Sequence, residues 1–144
     1  MKKILSTTVL AIILMIAFSS CKKDDNSASA QATALNAAVV QGKWKVTFFT
    51  DNGIDETIHF IGYEFQFNSN GTVTATKGGI TVSGSWISGT DDSAVKLILN
   101  FSTPDVFLDL NDDWHVVQQT NTKITLQDIS GGGGGTDYLT FEKI

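Results

Sequence analysis

Two histidines, one cysteine and a few paired acids are the side chains with which this 144-residue chain could do chemistry. His59 and His115 each stand alone in stretches that read as strands. A zinc site needs three or four converging ligands, and neither His-x-His nor HExxH spacing occurs. Both imidazoles are therefore expected at the surface or lining a mouth. Asp109-Leu110-Asn111-Asp112-Asp113 opens like a calcium loop, but its sixth position is Trp114 and its twelfth is Thr120. The Gly and the bidentate Glu of an EF-hand are both missing, so the run reads as a polar turn and no metal ligand is assigned. Asp91-Asp92 and Asp112-Asp113 pair acids along the chain. Glycoside hydrolysis instead needs two carboxylates facing across a cleft, about 5–10 Å apart. Neighbours on a strand point to opposite faces. There is no GxSxG elbow, and Gly131–Gly135 lacks the Lys and helix of a phosphate loop. No catalytic residue emerges, and the chain is expected not to be an enzyme.

Cys21 is the one nucleophile left, and its setting explains it. Met1-Lys2-Lys3 precedes an uncharged run to Phe18, the layout of a secretory signal. That run is shorter than the roughly 20 apolar residues a membrane-spanning helix needs. Phe18-Ser19-Ser20-Cys21 resembles the lipobox of bacterial lipoproteins, of the looser kind common in Bacteroidota. The resemblance implies cleavage before Cys21 and a covalent lipid on its sulfur. Each buried methylene is worth about 0.8 kcal/mol, so two or three acyl chains anchor firmly. Lys23-Asp24-Asp25 then resembles the export signal that sends such lipoproteins to the outer face of the outer membrane.

Residues 1–20 thus read as a signal peptide and 21–38 as a lipidated flexible tether, leaving 39–144 as the domain. From Cys21 onward the chain carries 8 Lys and 15 acidic residues, a formal charge of −7, with no Arg. Arg forks and basic stripes are what nucleic-acid readers use, so that partner class is excluded. An acidic surface also disfavours phosphate-rich partners.

The elements that position these groups alternate with a period of two. Trp44, Val46 and Phe48 share one face of WKVTFF; Tyr63, Phe65 and Phe67 share one of YEFQF; Val73 and Ala75 lie on the return strand after the NSNG turn. Val82, Gly84 and Trp86 are in phase, as are Val95, Leu97, Leu99 and Phe101. VFLDL, WHVVQQ, KITLQD and YLTFEK complete a series of about eight or nine strands, with a short helical turn expected over Leu35–Val40. Short strands at such spacing imply an all-β, antiparallel up-and-down barrel or a sandwich, and closure is favoured because it removes exposed edges.

Gly42-Lys43-Trp44 at the start of the first strand resembles the Gly-x-Trp signature of lipocalins. The order of Phe67-to-Val73, Trp114/Val116, Ile124/Leu126 and Leu139/Phe141 is similar to that in lipocalin-like domains of Bacteroidota lipoproteins. The resemblance implies a lipocalin-like barrel of about eight strands with Trp44 plugging its floor. Lipocalins stack an Arg over this Trp; the chain has no Arg, and Lys143 on the last strand is the only nearby substitute. Tyr63, Phe65, Phe67, Ala75, Gly84, Trp86 and Trp114 are then expected to face the interior. These aromatics would fill much of the lumen, leaving a small apolar cavity near the mouth beside Ala75 and Gly84. The functional expectation is a monomeric, surface-exposed outer-membrane lipoprotein with no cofactor beyond the lipid at Cys21. It would bind a small apolar ligand or a partner envelope protein. The rivals are a solid accessory or inhibitor subunit and a carbohydrate-binding β-sandwich.

Overall fold

A computed structural model of the protein describes residues 25–91, 93–129 and 135–144. The signal segment, Cys21, Lys23 and Asp24 lie outside the described residues, and of Asp25 only the backbone is described. Among the described residues no helix is long and apolar enough to cross a membrane.

The first element is a helix, α1 (Asp25–Val39), of 15 residues. It is longer than the turn expected over Leu35–Val40, and it takes in residues 25–38 that read as tether. Spacing is the reason. Ala28, Ala32, Leu35 and Val39 recur at intervals of four, three and four, which places them on one helical face, and all are buried. Alanines look like linker composition, yet here their small side chains let the helix lie close on the barrel. Ser88 Oγ donates to the Ala32 carbonyl at 3.4 Å across that contact.

Then come β1 (Trp44–Asp51), β2 (Ile54–Asp55), β3 (Glu64–Phe67), β4 (Thr72–Lys77), β5 (Ile80–Asp91) and β6 (Ala94–Phe101). A short helix α2 (Asp105–Leu108) precedes β7 (Asp112–Gln119), β8 (Lys123–Ile129) and β9 (Thr136–Lys143). Every ladder from β3 to β9 joins sequence neighbours antiparallel, and β9 returns to pair with β1. The result is a closed eight-stranded up-and-down barrel, with β2 a two-residue flap on β1. Closure excludes the sandwich.

Two local readings are corrected. The β1–β9 register shifts between Val46 and Phe48, a bulge that puts one extra residue into β1. The inward phase therefore passes from Val46 to Phe49, which is buried, while Phe48 is 41% exposed. VFLDL is not a strand either. Pro104 stands at the N-cap, and the next four residues coil into α2 so that Phe107 turns into the core.

β1 leaves β3 after a single paired position, Trp44 opposite Phe65. The gap is filled by a 3-10 turn at Thr57–Phe60. Thr57 Oγ1 accepts from the Phe49 amide at 2.8 Å, and Glu56 N donates to the Phe49 carbonyl at 3.0 Å. Side chain and turn thus stand in for the missing strand. Asn111 does the same at the end of β6, its amide bridging the Phe101 N–H (2.5 Å) and carbonyl (2.8 Å).

Candidate functional site

In a barrel of this size the interior is the first place to look for a ligand, since eight strands either just fill or just hold one small molecule. Here it is filled. Phe65, Phe67, Ala75, Trp86 and Trp114 are all buried facing inward, joined by Trp44, Phe49, Phe101 and Phe141. Phe67 meets Trp86 and Phe141 edge-on at 5.6 Å each, and Phe65 meets Phe141 at 5.3 Å. Edge-to-face contact is the favoured geometry for such rings. Gly84 leaves no void beside it. A Cβ there would lie 2.6 Å from both the Asn100 carbonyl and the Phe101 ring, so Phe101 takes the space that glycine gives up. The cavity expected beside Ala75 and Gly84 is thus occupied by the Phe101 ring.

Both ends are closed as well. At the end where β1 starts, the Trp44 indole donates to the Val39 carbonyl at 2.9 Å, tying the last turn of α1 to the barrel. Gly42 holds φ +90°, and a Cβ on it would meet the Lys143 stem at 2.9 Å. The positive φ is what calls for glycine, since the Lys143 Cε is the far end of a flexible stem that can swing aside. Lys143 then carries its ammonium over the Trp44 ring, 5.4 Å from the centroid, where a cation is attracted by the ring face. At the opposite end Phe60 and Phe107 form the plug. Their rings lie 5.4 Å apart, and Phe107 also touches Tyr63 and Phe101 at 5.1 Å each. The other two indoles are likewise bound to backbone, Trp86 to the Asn68 carbonyl and Trp114 to the Leu110 carbonyl, at 2.9 Å each. No tryptophan face is left for stacking on a sugar.

Tyr63 is the predicted interior residue that reaches the surface. Half-buried, it lies beneath the Lys77 ammonium and lines an external groove of about 640 Å³ with Ile80, Val82, Ser83 and Pro104. The groove exists because β5 is longer than β6. The β5–β6 ladder starts at Gly84 opposite Phe101, so Ile80–Ser83 pair with β4 on one side and face the departing chain 102–104 on the other. Sequence reading missed this because a strand's length is visible in alternation but its overhang beyond a neighbour is not.

The plugged end by Phe60 and Phe107 is strongly acidic. Burial pushes the Asp109 carboxyl above its ordinary value, helped by the charges of Asp51 and Glu56. Burial also raises Asp112, with the neighbouring Asp128 adding to it. Asp113 is held low by the Lys96 ammonium, which also bonds Asp91 at 3.2 Å. Of the histidines, His59 pairs with Glu56 at 2.8 Å, and His115 lies in register between Lys96 and Gln127. The two imidazoles do not come together.

No family model matches the chain, and no curated protein matches it. Among solved structures, a DUF4847-family protein from Bacteroides vulgatus is similar, with a TM-score of 0.50 and 17% identity over 76% of this chain and 97% of that one. At that identity the likeness shows a shared fold.

Proposed function

We propose that this protein is a non-enzymatic, lipid-anchored outer-membrane lipoprotein whose barrel is solid and acts through its outer surface, as an accessory module that holds a partner envelope protein. One observation carries the reading. The interior is packed with aromatic rings and plugged at both ends, while the apolar concavity lies outside, along β5. Residues Ile80–Ser83 offer that groove a strand edge beyond the reach of β6. An extended segment of a partner suits such an edge, since backbone hydrogen bonds supply affinity and alternate side chains supply selectivity. Tyr63, Val82 and Pro104 would receive the apolar side chains. The lipobox ending in Cys21 and the Lys23-Asp24-Asp25 string support the anchor and the surface location.

A second reading, a small apolar ligand, is favoured by the groove's volume, which falls within the roughly 300–1,000 Å³ of small-molecule sites. Native mass spectrometry of the intact lipoprotein, purified from its own membrane, separates the two. A mass of polypeptide plus lipid alone, together with a photo-crosslinker at Ile80 joining one specific envelope protein and the same probe at Ile144 joining none, supports the accessory role. A stoichiometric small molecule retained by the folded protein would replace it with the ligand reading.

A further inference from the structure

The groove along β5 has a polarity, set by the backbone. The Trp86 N–H donates to the Gly71 carbonyl at 2.8 Å, on the β4 side of the strand. Backbone groups alternate sides along a strand, so those of Ile80, Val82 and Gly84 also aim at β4, where these residues pair with Lys77, Ala75 and Val73. The N–H and carbonyl groups of Thr81 and Ser83 therefore aim the other way. On that side the β5–β6 ladder begins only at Gly84, and Ser102, Thr103 and Pro104 form the far wall of the groove. Two donors and two acceptors thus face the groove without a strand partner. A strand that continues the line of β6 runs antiparallel to β5, so its C-terminal end comes beside Ile80.

Lys77 stands at that end. It is directly opposite Ile80 in the β4–β5 ladder, and opposed side chains share a face of the sheet. Its stem lies against Gly62, where a Cβ would come within 3.3 Å of the Lys77 Cε. Its ammonium is 5.3 Å from the centre of the Tyr63 ring, which lines the groove. Lys43, Lys96 and Lys123 each pair with a carboxylate, whereas Lys77 pairs with none among the described residues. An open ammonium at the rim of an apolar groove is complementary to an anion. The hairpin turn leaves it uncovered: Gly78 and Gly79 hold φ of +57° and +84°, and a Cβ on either would meet nothing within 4 Å.

On the reading that the β5 edge holds an extended segment of a partner, we propose that this segment is a free C-terminus, paired antiparallel with Ile80–Ser83 and with its terminal carboxylate on the Lys77 ammonium. Backbone capture of a chain end by a sheet edge is an established mode of peptide recognition. The last residue then lies opposite Ile80 and the third from last opposite Val82. Both project from the same face as Ile80 and Val82, the face on which Tyr63 lies, so both are apolar. An internal segment brings no charge to Lys77. A fatty acid brings the carboxylate but no row of N–H and carbonyl groups for Thr81 and Ser83.

The probe is a mixture of random heptapeptides, made once with free C-termini and once as C-terminal amides, selected on the purified full chain and read by mass spectrometry. Free acids should be enriched over the matching amides about ten-fold, the worth of one hydrogen bond between charged groups, with apolar last and third-from-last residues. Lys77→Gln should erase the preference, Lys77→Arg should keep it, and Lys45→Gln on the outer face of β1 should leave it unchanged. Circular dichroism checks that the variants fold. Octanoate should not displace the selected peptides. Equal enrichment of acids and amides overturns the C-terminal site while leaving the edge-docking reading standing, and enrichment of neither overturns both. A preference that survives in folded Lys77→Gln places the carboxylate elsewhere and overturns the assignment. Displacement by octanoate overturns the peptide in favour of a free acid.

Discussion

Phe107 is where a solid barrel would be easiest to open. Its ring is fully buried at the plugged end, between Phe60 at 5.4 Å and Tyr63 and Phe101 at 5.1 Å. Truncation to alanine removes a buried phenyl worth about 1.5–3 kcal/mol in transfer from water. It also leaves a void of about 100 Å³, which at about 24 cal/mol per Å³ adds about 2.4 kcal/mol. Together these give a loss of about 4–5 kcal/mol, within the range seen for large aromatic truncations. At roughly 4 °C per kcal/mol for a domain of little more than 100 residues, the melting temperature should fall by about 16–20 °C. Urea unfolding followed by tryptophan fluorescence and circular dichroism measures it. The same variant should gain what the wild type lacks, a dry apolar hole that takes a benzene-sized probe. A loss below about 1 kcal/mol would refute the reasoning, because Phe107 would then have to be exposed in solution and the barrel end open.

Trp44→Phe keeps a benzene ring but removes the pyrrole half of the indole and with it the donor to the Val39 carbonyl; it should cost about 1–3 kcal/mol and raise hydrogen exchange selectively in α1, as read by mass spectrometry. Asp109→Asn should stabilise the protein at neutral pH, since its carboxyl is raised by burial and by Asp51 and Glu56. An acid whose folded value is raised destabilises while ionised, so denaturation curves should show the gain shrinking as pH falls toward the ordinary carboxylate range. Cys21→Ala should abolish lipid attachment, checked by labelled palmitate, with equal labelling counting against the anchor. Alanine at Lys23, Asp24 and Asp25 together should keep the lipid yet hide the protein from protease added to intact cells.

The strands were legible where one face is apolar and the other polar, as in Phe65 and Phe67 against Glu64 and Gln66. Where both neighbours are apolar the phase is hidden. Phe48 and Phe49 read equally well as inward, and only the bulge before them decides. Val106, Phe107 and Leu108 have strand-like composition, but the turn begun at Pro104 and the space beside Phe60 make them helical. In α1 the signal was present in the spacing of Ala28, Ala32, Leu35 and Val39, masked by side chains too small to look like a core. The filled lumen followed from counting aromatics, whereas the place of Phe60 did not, because it comes from a turn rather than a strand. The acidic cluster was out of reach for a different reason. Asp112 and Asp113 of β7 and Asp128 of β8 have carboxylate oxygens within 4.8 Å of one another because the two strands pair in the sheet, which no local pattern records.

The central claim is that the barrel has no room inside, and a titration of the full chain with a retinol-sized apolar ligand tests it most directly. Trp44, Trp86 and Trp114 sit around the interior and would all report an occupant. The solid barrel predicts no saturable change in tryptophan fluorescence, only a shallow slope from weak contact at the external groove. Saturable quenching that ends at one equivalent would contradict it, showing that the plug at Phe60 and Phe107 opens and that the barrel is a container.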